Sequence, residues 1–78
     1  MPTLDDISIK QEIETFGRNL ARARDRIGMT QCMMQKITGI HQARISSIER
    51  GSANPSLHTL VRLSRAVRTP LHDLLKPD

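Results

Sequence analysis

Between Gln42 and Arg50 the segment QARISSIER sets small and polar side chains against apolar ones at helical spacing. At about 100° per residue, Ile45 and Ile48 fall on one side of a helix. Ala43, Ser46, Ser47 and Arg50 fall on the other, with Gln42 at its edge. A glutamine amide can make two hydrogen bonds to an adenine edge, and an alanine methyl can touch that of thymine. Short residues such as Ser46 and Ser47 let a helix sit close to bases. The chemistry offered is recognition rather than bond-making. No paired carboxylates, nucleophile–base set or phosphate-binding glycine loop occurs, so an enzyme is the least expected class. His58 and His72 have no companions at metal-ligand spacing and read as surface residues. No metal, cofactor or small-molecule ligand is expected.

The reading helix needs something to hold it. Thr30 to Gly51 reads as two short helices joined by a glycine turn, 31–38 and 42–49. The Thr30 hydroxyl is suited to cap the first. Met34, Ile37 and Thr38 share one side of it, and Gly39 can take the left-handed turn that follows. Gly51 ends the second. Upstream, residues 1–8 read as a flexible arm ahead of a folded domain at 9–76. Ser8 with Gln11 forms a possible capping box. Ile9, Ile13, Phe16, Leu20, Ala23 and Ile27 recur at helical spacing to Gly28. Gly17 interrupts this helix; either it splits there or another helix approaches closely. Downstream, Ser56 can cap a fourth helix whose apolar residues are Leu57, Leu60, Val61, Leu63 and Val67. Thr69-Pro70 starts a fifth, with Leu71, Leu74 and Leu75. The fold class is therefore all-α, five helices around one core.

Seventy-eight residues suffice for one domain. No apolar run approaches the roughly 20 residues of a membrane span, and the acidic start MPTLDDISIK lacks a leader's charged-then-apolar order. Cys32 is the only cysteine and reads as a small helix filler; the absence of a disulfide fits the cytoplasm. The net charge is +4 with a pI near 10.2. Residues 1–14 are net acidic, whereas 15–50 carry Arg18, Arg22, Arg24, Arg26, Lys36, Arg44 and Arg50 against Asp25 and Glu49. Arginine is well suited to bidentate phosphate contact, so a polyanion partner is implied. Phe16 is the only aromatic residue. Single strands are gripped by stacking bases on aromatics, so duplex DNA is favoured.

These stretches carry a resemblance. FGRNLARARDRIGMTQ followed by ITGIHQARISSIERGSANPS resembles the phage-repressor and Cro type of helix-turn-helix, the XRE-like family, over about residues 16–75. The resemblance implies a lambda-repressor-like domain with helix 42–49 in the major groove and the preceding helix across the backbone. It implies base reading by Gln42, Ala43 and Ser47, with Ser46 on the same face. Arg44 could reach a phosphate or a guanine. Gln31 at a helix N-terminus resembles one phosphate anchor, and Ser52 with Asn54 a second. Arg24 and Glu49 occupy the positions of an inter-helix salt bridge, with the arginine also near phosphate. Lys36, His41 and Arg50 complete the expected phosphate contacts. Four positions depart from the pattern; Met33 and Met34 stand where a polar–Leu pair is usual. Gln35 stands where alanine is usual, and its longer side chain either opens the helix crossing or bonds across it. His41 replaces the usual Ser or Thr cap.

The expected function is a sequence-specific transcription regulator that binds a pseudo-palindromic operator as a homodimer. Its half-sites would lie about 34 Å apart. Leu71, Leu74 and Leu75 are the expected dimer surface, with the N-terminal arm beside them. A restriction–modification controller protein and a prophage repressor both fit. RNA polymerase and a cognate toxin stay open as further partners, although no long extra segment offers a toxin-binding surface. The competing class is a protein-interaction module or antitoxin that keeps the fold without the DNA.

Overall fold

Five helices succeed one another: α1 (Leu4–Arg26), α2 (Gln31–Thr38), α3 (Gln42–Glu49), α4 (Leu57–Ala66) and α5 (Leu71–Leu74). The computed structural model describes residues 4–77, with side chains from Ser8 onward, and no strand occurs among them. The boundaries of α2 and α3 coincide with the expected 31–38 and 42–49. Thr30 caps α2, its hydroxyl accepting the Met33 N–H at 3.0 Å. Gly39 closes α2 at φ 75°, a conformation that L side chains rarely adopt. Ser56 caps α4 in the same way as Thr30 caps α2, accepting the Thr59 N–H at 3.2 Å.

The helix α1 starts earlier than Ser8 and Gln11 suggest. Residues 4–8 are helical, so Ser8 lies inside α1 and the expected arm at 1–8 shortens. Residues 1–3 lie outside the described part. Nothing between Leu4 and Ser8 is a glycine or proline, so the helix propagates past the capping signal.

Phe16, Leu20, Met34, Ile45, Ile48 and Leu63 are fully buried at the centre. Each contributes about 1.5–3 kcal/mol by leaving water. Ala23, Met29, Ile40, Val67 and Leu74 complete the cluster, and Ala53, Leu60 and Leu71 pack against it. Several expected core residues stand outside it. Ile9, Ile37 and Leu57 are exposed, because each lies at the rim of its helix's apolar stripe, and Ile27 is exposed in the turn beyond the end of α1. Leu74, expected at a dimer surface, is only 2% exposed; of that trio Leu71 is half-buried and Leu75 exposed.

Two polar ties close the bundle. Asn19 on α1 donates both amide protons across to α5 and its end, to the carbonyls of Leu74 at 2.9 Å and Lys76 at 2.8 Å. Arg62 on α4 donates to the Thr38 carbonyl, satisfying the C-terminus of α2.

Candidate nucleic-acid interface

Ile45 and Ile48 fix which way α3 faces, being 0% and 1% exposed. Close approach to α1 is possible because Gly17 has no side chain. A Cβ there would meet the carbonyl oxygens of Ile48 at 2.4 Å and Glu49 at 2.7 Å. Gly17 therefore does not split α1; it makes room for α3.

The C-terminal end of α3 is held by charge. Arg24 donates from Nε and Nη2 to the two carboxylate oxygens of Glu49, at 2.7 and 3.0 Å. Its Nη1 donates to the Met29 carbonyl at 2.7 Å and lies 3.2 Å from Asp25. Gln31 adds a third bond to Glu49 at 3.0 Å. The Arg24 pKa is raised, chiefly by its hydrogen bond to Glu49, against the opposing effect of burial. The expected salt bridge is thus present and bidentate. All of its guanidinium nitrogens are engaged, and one Gln31 amide proton is also committed, which leaves less of both for a phosphate.

The N-terminal end of α3 is held by uncharged groups. His41 is the N-cap, its Nδ1 accepting the Ala43 N–H at 3.2 Å. A neutral ring bonded this way carries its proton on Nε2. Gln35 bonds across the turn, its Oε1 accepting the Gln42 N–H at 2.7 Å. The longer side chain at this position thus does what capping side chains do, satisfying an otherwise unpaired donor of the helix start. Cys32 is exposed rather than a filler, and its thiol donates to Gln42 Oε1 at 3.2 Å.

The outward side of α3 lines a shallow concavity of about 450 Å³ with Gln42, Ala43, Ser46, Ser47 and Arg50, joined by Gln31 and His41. Four of the five expected base-reading residues meet there. The fifth, Arg44, is exposed but does not line it. Arg50 lies across the serines, donating to Ser46 Oγ at 2.8 Å and Ser47 Oγ at 3.4 Å, while the Ser47 hydroxyl donates to the Ala43 carbonyl at 3.1 Å. Ser52 donates to the Ser47 carbonyl at 3.1 Å. Lys36 is exposed one turn beyond Cys32 on α2. Asn54 lines a separate apolar groove with Ile9, Ile13, Pro55, Leu60 and Leu75, away from the concavity. Among the described residues no cluster of His, Cys, Asp or Glu could hold a metal, and no helix is long and apolar enough to cross a membrane.

A short α2, a glycine turn and an outward-facing α3 buttressed by α1 define a helix-turn-helix domain. Residues 20–74 match the helix-turn-helix family model, and the chain belongs to this XRE-like family of DNA-binding transcriptional regulators. It is 38% identical over 61 residues to the HTH-type transcriptional regulator y4dJ of Sinorhizobium fredii, covering 78% of this chain and 79% of that one. It is 31% identical over 70 residues to control protein C.SmaI of Serratia marcescens, covering 90% and 83%. The crystal structure of the restriction-modification controller protein C.AhdI from Aeromonas hydrophila superposes with a TM-score of 0.76 at 25% identity, over 82% of this chain and 97% of that one. The hypothetical transcription factor NHTF from Neisseria has the same fold, with a TM-score of 0.79 at 22% identity over 87% and 79%.

Proposed function

We propose that this chain binds a pseudo-palindromic operator in duplex DNA as a homodimer, each copy laying α3 in the major groove. The observation that carries the reading is the concavity on α3. Its small and polar residues face outward while both isoleucines of the same helix are buried. Gln42 and Ala43 face base edges, and the serines read where Arg50 releases them toward the backbone. Gln31, His41 and Arg50 flank the strands, with Lys36, Arg44 and Ser52 as outer contacts; Arg24, engaged by Glu49, and Asn54, in the apolar groove, take no phosphate in this reading. The similarity to C.SmaI and C.AhdI favours a controller protein over a prophage repressor. The second copy docks near Leu75, Leu71 and the adjoining apolar groove, where Ile9 and Leu75 are 52% and 40% exposed.

Selection of bound sequences from random duplex DNA tests the reading. The expected product is a two-fold symmetric site with half-sites about one helical turn apart. Affinity should fall steeply with salt, as release of counterions from phosphates requires. Unselective binding with a flat salt dependence would favour an interaction module instead. Sedimentation at micromolar concentration should give a dimer; a monomer would remove the two-fold model.

A further inference from the structure

Gln42, the first residue of α3, is gripped twice by α2. Gln35 Oε1 accepts its backbone N–H at 2.7 Å, and the Cys32 thiol donates to its side-chain Oε1 at 3.2 Å. Cys32 and Gln35 are three residues apart, so they lie on neighbouring positions of one helix face. The first bond fixes where the side chain begins; the second fixes which way its amide turns. A carbonyl oxygen turned toward Cys32 leaves the Gln42 NH₂ group turned away from α2. The observed S–H···O contact sets this orientation, and the flipped amide would have only a sulfur, itself a weak acceptor, to donate to.

We propose that Cys32 is a positioning residue for base recognition. By holding Oε1 of Gln42 it presents the amide to the groove in one orientation and so sharpens the base preference at the position Gln42 reads. The carbonyl keeps a second lone pair. The oriented amide can therefore still accept from adenine N6 while donating to N7, the pairing that needs one fixed orientation. The proposal rests on the reading of α3 as the base-contacting helix.

The test is selection from random duplex DNA by the full chain and by Gln42→Ala, Cys32→Ala and Cys32→Ser. Gln42→Ala locates the base position concerned. Cys32→Ala should lower the preference at that position alone by roughly twofold, the low end of a hydrogen bond's value, since this bond is exposed and its donor weak. Cys32→Ser, which restores an O–H donor, should keep it. Because Cys32 is exposed, thermal unfolding should be unchanged in both. Wild-type preference retained in Cys32→Ala overturns the positioning role and leaves the function standing. So does an equal loss at every position, which would mark a general effect on α3. Absence of any sequence preference in the wild-type chain overturns both proposals together.

Discussion

The two ends of α3 are secured in opposite ways. At the C-terminal end α1 holds it through Gly17 and Arg24, with Gln31 of α2 adding a bond to Glu49; the Arg24 and Glu49 side chains are 13% and 7% exposed. At the N-terminal end its own cap His41 holds it together with Gln35 and Cys32 of α2, all by uncharged and mostly exposed hydrogen bonds. A buried joint sets where the helix sits. An exposed joint sets how its first side chains are aimed. Damage to the first should therefore read out as stability, and damage to the second as recognition.

The largest effect is expected at Glu49. Glu49→Ala leaves Nε and Nη2 of the little-exposed Arg24 guanidinium without partners, Met29 and Asp25 keeping only Nη1, and should cost about 3 kcal/mol, measured by denaturant unfolding. A loss below about 1 kcal/mol would show that the pair is solvated as surface pairs are. Gly17→Ala comes next. Its new Cβ cannot fit unless α1 and α3 separate, so about 2 kcal/mol of destabilisation is expected in the same measurement. Gln42→Ala, at the other end, should leave the unfolding midpoint alone while weakening specific DNA binding by about 1–2 kcal/mol in a titration. Loss of stability there with intact binding would reverse the proposed division of labour.

The smallest effect sharpens the contrast from outside. Asp73 and Lys76 form an exposed ion pair at 2.9 Å. The Lys76 hydrogen bond holds the Asp73 carboxyl below its ordinary value. Any stability it lends is present at neutral pH and is lost as pH falls through that lowered value. Lys76→Ala should move the Asp73 titration upward in carboxyl-detected NMR, with no detectable change in unfolding at pH 7.

Most of the helical frame was legible because its signals are local. Thr30, Gly39, Gly51 and Ser56 mark helix ends through their own backbone and hydroxyl chemistry, and α2 and α3 fall where those residues put them. The Arg24–Glu49 pair was legible only through resemblance, since the partners lie 25 residues apart. Helical spacing could not tell rim from core: Ile37 and Leu57 sit on the right stripes yet face water, and Leu74 and Leu75 exchange the expected surface role for a divided one. Cys32 gave no signal at all. Its contact depends on the distance between two helices across a turn, which no periodicity encodes. Gln35 did carry one, a long amide where a small residue is usual, and its bond across the crossing is what that length allows.

The missing side chain at Gly17 has a further cost for how this domain accommodates a target. With the backbone of α3 seated directly against α1, the two helices have no cushion of flexible atoms over which to slide. Under the proposed binding of an operator by two copies, grooves that are too narrow, too wide or wrongly phased will not be met by a rearrangement within one copy. The strain must be absorbed by bending or twisting of the duplex, or by a change of angle between copies, so the flexibility of base steps that no side chain touches should enter the choice of site.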